Sequence, residues 1–226
     1  MLKISGESLA GDKRHGLSSS ALTATARQIA DLNNAGVEVG VVVGGGNFWR
    51  GREGDEMDRT SADYMGMLAT VINALALSDA LDRQGVDNRV MTALAIDKIG
   101  EPYNIKTAKR YLKEGKVVVF GGGTGSPFFT TDTGASLRAC EIQAEVLLLA
   151  KNIDGIYDSD PKVNPNAKKY DKLTYDEYVG KGLRALDTSA VVMCKENGLK
   201  IHAFGNLDDN SIVDAVFSDT AGTVVY

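Results

Sequence analysis

The sequence predicts an α/β protein, built as a three-layer sandwich around a central and mostly parallel sheet. The first observation behind this prediction is that short apolar runs rich in Val, Ile and Leu alternate along the chain with longer segments of helical periodicity. The second is that the short runs are continuously apolar, as in Val37–Val43, which is typical of parallel strands buried on both faces. Regular alternation of strand and helix favours one sheet with helices packed on both sides.

The predicted strands are short and apolar. In chain order they are Leu2–Ser5, Val37–Val43, Asn88–Thr92, Lys116–Phe120, Glu145–Ala150, Leu199–Phe204 and Thr223–Tyr226. The predicted helices lie between the strands and are identified by apolar residues three and four positions apart. In chain order they are Ser18–Asn34, Ser61–Gln84, Ile105–Glu114, Asp132–Gln143, Thr188–Asn197 and Ser211–Phe217. The second helix has the clearest pattern, carried by Met65, Leu68, Ile72 and Leu75.

Glycines mark the ends of four of these helices. Gly36, Gly85, Gly115 and Gly198 each follow a helical segment, where a left-handed residue is needed to end the helix. The segment 154–172 is long and polar and contains two prolines, so we expect it to form a lid or an arm. No linker interrupts the chain, and residues 1–226 are therefore predicted to form a single domain.

Composition excludes several classes of function. The 30 acidic residues outnumber the 25 basic ones and give a net charge of −5, which disfavours binding to nucleic acid. Two cysteines and two histidines are too few for a disulfide scaffold or a histidine-rich metal site, and they fit a reducing cytoplasm. No run reaches the ~18 apolar residues of a membrane span, and the first residues lack the pattern of a signal peptide.

Glycine-rich loops follow the predicted strands and are the main candidates for a ligand site. Gly44–Gly46 follow one strand, Gly121–Gly125 follow another, and Gly6 follows the first. Ligands of parallel sheets bind at the carboxyl ends of strands, and glycines allow backbone N–H groups to crowd against an anion. Arg50, in the sequence GGGNFWRG, can form a forked contact with a phosphate. Three consecutive glycines carry a high entropy cost, which favours a functional interpretation over a simple turn.

Two charged residues have both a structural and a functional interpretation. Lys3 lies on a predicted strand, where a buried lysine is costly unless it meets an anion, but it can also be an edge lysine. Asp132 ends the loop GGGTGSPFFTTD, with Thr130 or Thr131 as a helix cap. A carboxylate in a first helical turn is favoured by the helix dipole, although the long loop before it indicates more than a cap.

Two acidic segments are ambiguous in the same way. Thr60 and Asp63 fit a capping box, which is the better interpretation of Asp63 from local sequence. Asp154, Asp158 and Asp160 lie in a turn-forming segment that lacks the spacing of a calcium-binding EF-hand loop, and a solvated loop is the simpler interpretation. Tyr157 in the same segment can stack on a nucleotide base.

Several well-known motifs are missing. The sequence has no GxxxxGK[ST], no GxGxxG and no GxSxG, which argues against P-loop NTPases, standard dinucleotide binders and serine hydrolases. Two glycine loops accompanied by Lys and Arg suggest two phosphate-bearing ligands. The residues alone therefore favour phosphoryl transfer.

The chain resembles the amino-acid-kinase superfamily and, within it, bacterial uridylate (UMP) kinases over nearly the whole length. The segments that carry the resemblance are KISGE (3–7), GGGNFWRG (44–51), MDRTSADYMGMLAT (57–70), GTGSPFFTTD (123–132) and DGIYDSDP (154–161). The resemblance implies an amino-acid-kinase-like fold and transfer of the ATP γ-phosphate to UMP. It also implies an acceptor-binding part at about 1–140 and a nucleotide-binding part at about 141–226.

The resemblance implies the following site residues. Lys3 and Asp132 are catalytic, with Asp132 orienting Lys3, and no protein ligands for a metal are implied. ATP is bound by Lys3, Ile4, Ser5, Gly6, Gly46, Arg50, Asn152, Tyr157 and Asp160. UMP is bound by Gly45, Asp63, Thr124, Gly125, Ser126, Pro127, Phe128, Phe129, Thr130 and Thr131. Mg²⁺ accompanies ATP and bridges its oxygens.

The resemblance further implies a cytoplasmic homo-oligomer, a hexamer built from dimers in which the 61–84 helix lies near the dimer contact, with GTP and UTP as effectors. Two departures from the family are visible. Ser126 replaces an Asn that is common in relatives, and the segment Gly11–Gly16, associated with GTP activation, lacks a central glycine. Competing interpretations are a sister kinase with a carboxylate or carbamate acceptor, a nucleotide-gated sensor, and an oxyanion storage protein. The presence of both Lys3 and Asp132 argues against storage.

Overall fold

A nine-stranded sheet forms the middle layer of the protein, as described by a computed structural model for residues 1–13, 15–49, 57–205, 210–218 and 222–226. Its strands are β1 (Leu2–Ile4), β2 (Gly40–Val43), β3 (Asn88–Thr92), β4 (Glu101–Pro102), β5 (Val117–Gly121), β6 (Val146–Lys151), β9 (Lys172–Leu173), β10 (Lys200–Gly205) and β11 (Thr223–Val225). They are ordered β4-β3-β5-β2-β1-β6-β10-β11-β9, and every neighbouring pair is parallel except β10–β11. β7 (Ile156–Tyr157) and β8 (Lys169–Tyr170) pair separately as an antiparallel ribbon.

Helices cover both faces of the sheet. They are α1 (Gly6–Ala10), α2 (Ser19–Asn34), α3 (Arg59–Arg83), α4 (Ile105–Lys113), α5 (Thr131–Ile142), α6 (Tyr175–Gly180), α7 (Thr188–Glu196) and α8 (Ser211–Phe217), with a short 3₁₀ helix at Gly11–Lys13. One core joins the sheet to α1, α2, α3 and α8, and a second core joins the other face to α4, α5, α6 and α7. The predicted three-layer sandwich is therefore confirmed.

Alternation along each strand divides its side chains between the two cores. In β2, Val41 and Val43 belong to one core and Val42 to the other, and β6 divides Leu148 from Leu147 and Leu149 in the same way. Both faces of these strands are apolar because both are buried. This is why continuous apolar runs were a reliable signal for the sheet.

The predicted elements are all present, with ends shifted by a few residues. The glycines expected to end four helices have the positive φ that this role needs, at 84° for Gly36, 75° for Gly85, 78° for Gly115 and 62° for Gly198. The sequence analysis missed α1, α6 and the two-residue strands β4, β7, β8 and β9. For α6 a local signal existed, since Thr174 and Glu177 form a complete capping box. The segment predicted as an arm contains the β7–β8 ribbon.

The α3 helix has apolar residues on two sides. Its buried side, which includes Met67, Val71 and Leu77, packs against the sheet and α2. The residues whose spacing predicted the helix lie on the opposite side and are 38–48% exposed: Met65, Leu68, Ile72 and Leu75. By length and composition α3 is the one described helix that could cross a membrane, but half of that stretch is buried against the rest of the protein.

Candidate functional site

The carboxyl ends of four neighbouring strands bring the predicted loops to one edge of the sheet. β5, β2, β1 and β6 are adjacent in that order. The glycine loops follow β5 and β2, Gly6 follows β1, and β6 ends at Lys151. Parallel strands present their carboxyl ends at the same edge, which explains how segments far apart in sequence meet here.

A cluster of two lysines around one carboxylate occupies this edge. The Nζ atom of Lys3 lies 2.8 Å from Oδ1 of Asp132, and Nζ of Lys151 lies 3.7 Å from Oδ2. The Lys3 and Asp132 side chains are only 12% and 15% exposed. Because β1 lies between β2 and β6, the interpretation of Lys3 as an edge lysine is wrong. Lys151 was not predicted as a site residue, and it also donates a hydrogen bond to the Ala185 carbonyl.

Burial and the neighbouring lysine charges shift the pKa of Asp132 in opposite directions. Burial by itself would raise the pKa of Asp132, but the ammonium groups of Lys3 and Lys151 outweigh it and hold that pKa below its usual value. Burial lowers the pKa of the Lys151 ammonium, and the positive charge of Lys3 adds to this, while Asp132 and Asp187 oppose it. One ionised carboxylate therefore holds two cations close together, which is an arrangement suited to receiving a polyanion.

A first cavity of about 450 Å³ opens between α3 and the loop after β5. Seven of the residues predicted to bind UMP line it, namely Gly45, Asp63, Thr124, Ser126, Phe129, Thr130 and Thr131. Gly125, Pro127 and Phe128 belong to the same loop but are not among the lining residues. Gly46, predicted to approach ATP, lines this cavity beside Gly45. The lining also includes Arg59 and Trp49, neither of which was predicted.

Two glycines at this edge of the sheet, Gly45 and Gly6, are required by close packing. A Cβ on Gly45 would lie 2.7 Å from the Gly66 carbonyl oxygen of α3, and a Cβ on Gly6 would lie 2.3 Å from Oδ1 of Asn47. Both distances are shorter than real Cβ contacts, and any larger residue would push the GGGN turn away from α3 or from the start of α1. These glycines therefore bring three backbone segments together at the edge of the sheet.

Two buried asparagines hold the GGGN turn in place. Asn73 on α3 donates to the Gly44 carbonyl at 2.6 Å and to Oδ1 of Asn47 at 2.7 Å. Asn47 in turn donates to the Gly16 carbonyl at 2.7 Å. Sequence analysis missed Asn73, because a single polar residue in an apolar helix gives no indication of which loop it meets.

The loop after β5 is held from three sides. The Gly122 N–H donates to the Thr70 hydroxyl at 2.7 Å, and Arg138 donates to the Gly123 carbonyl at 3.4 Å. At the far end of the loop, Thr130 caps α5 as predicted, and its hydroxyl donates to the Asp187 carboxylate. Asp187 was not predicted either, since it lies more than fifty positions away in sequence.

Asp63 does not belong to a capping box. Asp58 is the N-cap of α3, and its carboxylate accepts from the Ser61 N–H at 2.9 Å, which places Thr60 and Asp63 inside the helix. Oδ2 of Asp63 instead accepts from the Phe128 N–H at 2.8 Å, across the first cavity. The local pattern was misleading because Asp58 starts the helix before the expected position.

A second cavity of about 710 Å³ is lined by Lys151, whose ammonium group belongs to the lysine cluster. Asn152, Tyr157 and Asp160, which were predicted to bind ATP, also line it. The Tyr157 hydroxyl donates to Asp154 at 2.6 Å, which orients the ring on the β7–β8 ribbon.

The remaining residues predicted to bind ATP have other surroundings. The Ile4 side chain is fully buried in the core, so that only its backbone is available to a ligand. Ser5 is the N-cap of α1, where it accepts from the Ser8 N–H at 3.1 Å. Gly6 begins α1, and Arg50 lies outside the described residues.

The site therefore has two cavities joined by a charged cluster. Asp132 follows Thr131, which lines the first cavity, and Lys151 lines the second. Within the part of the chain that the structure describes, no three His, Cys, Asp or Glu side chains converge as a metal site. Such a geometry can hold two ligands with their negatively charged ends facing each other across the two lysines.

Comparison with known proteins identifies the family and the fold. The amino acid kinase family profile matches residues 1–205. The fold superposes on a UMP kinase from Bacillus anthracis with a TM-score of 0.95 and 35% identity, covering 99% of this chain and 93% of that one. A UMP kinase from Ureaplasma parvum gives 0.94 and 37%, covering 99% and 96%, and a uridylate kinase from Archaeoglobus fulgidus gives 0.76 and 29%, covering 100% and 99%. The chain belongs to the amino acid kinase family.

Proposed function

We propose that this protein is a UMP kinase, which transfers the γ-phosphoryl group of ATP to UMP and yields UDP and ADP for pyrimidine nucleotide synthesis. The observation that carries the proposal is the Lys3–Asp132–Lys151 cluster between two cavities. Similarity to UMP kinases over at least 93% of their length supports the choice of acceptor.

The first cavity is the proposed UMP site. Asp63 carries a carboxylate suited to a ribose hydroxyl, and Thr124, Thr130 and Thr131 offer hydroxyls along the loop after β5. The start of α5 adds positive potential for the acceptor phosphate. Gly45 and Gly46 line the same cavity. Their backbone N–H groups are the proposed donors to UMP.

The second cavity is the proposed ATP site. Asn152, Tyr157 and Asp160 line it, and Lys151 extends from it to Asp132. Mg²⁺ is proposed to enter with ATP as part of the substrate complex, as the family resemblance implies.

Transfer in this site requires positioning and compensation of charge. The acceptor phosphate oxygen is already an anionic nucleophile, so the reaction needs no general base. Lys3 neutralises charge on the transferring phosphoryl group, and Asp132 holds Lys3 in place at 2.8 Å. As the oxygen of UMP bonds to the γ-phosphorus, the bond to the β-γ bridging oxygen breaks, and the electron pair leaves with ADP.

An ADP-release assay with UMP, CMP, acetylglutamate and aspartate tests the proposal against the sister kinases. We expect turnover with UMP and none with the two carboxylates. CMP should be poorer by more than about a hundredfold in kcat/KM, because cytosine reverses the donor and acceptor of uracil at two positions. Ser126, in place of the Asn of relatives, is the nearby residue that could reduce this discrimination. Equal turnover of CMP and UMP would indicate a broader pyrimidine kinase.

We further propose that the protein is a cytoplasmic homo-oligomer, a hexamer built from dimers that meet through the exposed apolar side of α3. That side carries Tyr64, Met65, Leu68, Ile72 and Leu75, which are 38–48% exposed. An uncovered apolar surface of this kind is unfavourable in water and is typical of a protein interface.

We also propose GTP and UTP as effectors of the enzyme. Adding each nucleotide to the ADP-release assay with UMP tests this proposal, and an unchanged rate would exclude such regulation.

A further inference from the structure

Asp63 connects the two sides of the first cavity. Its Oδ2 atom accepts from Nε of Arg59 at 2.9 Å, one turn earlier on α3, and from the Phe128 N–H at 2.8 Å on the loop after β5. The Asp63 side chain is only 14% exposed. Among the described residues, no hydrogen bond is formed by Oδ1, so one oxygen holds the protein together and the other remains for a ligand.

Phe128 has an unusual backbone conformation at this contact. Its φ is 71°, in the left-handed region that bulky residues avoid, and its side chain is 66% exposed. The Arg59 guanidinium carbon lies 5.5 Å from the centre of the Phe128 ring, within the range of a cation–π contact. Arg59 therefore contacts Phe128 directly through the ring and indirectly through Asp63.

We propose that Arg59 is a positioning residue for the acceptor nucleotide, acting through a rim clasp formed by Arg59, Asp63 and Phe128. The clasp holds the loop 124–130 in the conformation that lines the cavity, and it fixes the orientation of the Asp63 carboxylate. This inference rests on the proposed function, since the ligand it positions is UMP. Within the described residues, the contacts of the clasp residues do not include Lys3, Asp132 or Lys151. We therefore expect its loss to affect UMP binding and to leave phosphoryl transfer at saturation nearly unchanged.

The test compares Arg59→Met with Arg83→Met. Arg83 is a matched control because it also pairs with an aspartate one turn away on α3, Asp79, and lines neither cavity. Trp49, the single tryptophan of the chain, lines the first cavity and reports UMP binding by fluorescence. We expect Arg59→Met to raise both the Kd and the KM for UMP by about tenfold with kcat within about threefold, and Arg83→Met to change neither.

A second pair of variants tests the backbone conformation. Phe128→Ala removes the ring and keeps the cost of a positive φ, whereas Phe128→Gly removes both. We expect UMP to bind more weakly to Phe128→Ala than to Phe128→Gly. In the double variant with Arg59→Met, Phe128→Ala should weaken binding less than it does alone, because the two residues act through one contact.

The outcomes separate this inference from the proposed function. A wild-type protein that neither binds UMP nor releases ADP with it would overturn the proposed function. A wild-type protein that does both, with Arg59→Met equal to Arg83→Met, would overturn the rim clasp. A large fall in kcat for Arg59→Met would also overturn it, because Arg59 would then act on the reacting phosphate. Equal UMP binding by the two Phe128 variants would contradict the role of the backbone conformation.

Discussion

At the level of single residues, the positions of two partly buried lysines determine what the site can do. Lys3 and Lys151 lie on adjacent strands and share Asp132, so two cations are held together with one carboxylate. In a partly buried site, such charges interact with a polyanion much more strongly than they would in water. The resemblance identified Lys3 and Asp132, and the structure adds Lys151.

Lys3→Ala should lower kcat by about 10²–10³ with little change in UMP binding, because a preorganised charge stabiliser is removed. Asp132→Asn should have a smaller effect in the same direction, since it removes the group that orients Lys3. Single-turnover kinetics and Trp49 fluorescence measure the two effects separately. A kcat for Lys3→Ala close to that of the wild type would exclude the catalytic role.

Lys151 should contribute to the rate through its charge. Lys151→Met should lower kcat by about tenfold or more, whereas Lys195→Met, which breaks an exposed pair with Asp176, should have no effect. In the free protein the pKa of Lys151 lies below its usual 10.5 because of burial, so wild-type kcat/KM should fall at a lower alkaline pH than an ordinary lysine would allow. Lys151→Arg stays protonated and should lose that decline. A pH–rate profile shared by the wild type and Lys151→Arg would contradict this.

At the level of elements, α3 combines three tasks along one helix. Asp58 caps its first turn, Asp63 faces the first cavity, and its exposed apolar side lies farther along. Gly45 and Asn73 fix the distance between this helix and the GGGN turn. A shift of α3 would therefore alter both the cavity and the apolar surface.

The first turns of α3 allow the cap and the ligand contact to be separated. Asp58→Ala should destabilise the protein by about 1 kcal/mol through loss of the cap, with the KM for UMP unchanged. Asp63→Ala should raise that KM by about tenfold or more, with a smaller loss of stability. Thermal unfolding and steady-state kinetics on both variants decide the matter. The reverse pattern would restore the capping-box interpretation of Asp63.

At the level of the whole molecule, the two cavities draw on different stretches of the chain. The residues that line the first lie between Glu7 and Thr131, and those that line the second lie between Lys151 and Ala185. The division into an acceptor-binding part and a nucleotide-binding part remains a prediction. The strand order places these two parts side by side, since β1 and β2 lie before residue 140, β6 lies after it, and β1 pairs with β6.

Leu68→Glu should reduce the molecular mass measured by light scattering to that of a smaller assembly. It places a charge within the exposed apolar side of α3, where burial against a second copy would leave that charge without a partner. Val163→Glu is the control, because Val163 is 81% exposed and lies outside α3. An unchanged mass for Leu68→Glu would locate the interface elsewhere.

The sequence by itself determined the elements that have strong local patterns. All seven longer strands and the six predicted helices were visible because continuous apolar runs, helical spacing and terminal glycines reflect physics within one segment. The missed strands contain two residues each, and their pairing depends on partners far along the chain. The family resemblance also predicted Lys3, Asp132 and the loop after β5 as site residues, and the structure places them at one edge of the sheet.

Only the tertiary structure decided which side of α3 is buried, which residue caps it, and which distant residues complete the site. The helical spacing of apolar residues correctly predicted α3 from Met65, Leu68, Ile72 and Leu75. The spacing by itself does not show whether such an apolar stripe faces the core or the exterior, and here it faces the exterior. Lys151, Asn73, Asp187 and Arg59 contact segments of the site that are remote in sequence. Such contacts depend on strand order and on the distance between helix and sheet, which no local periodicity encodes.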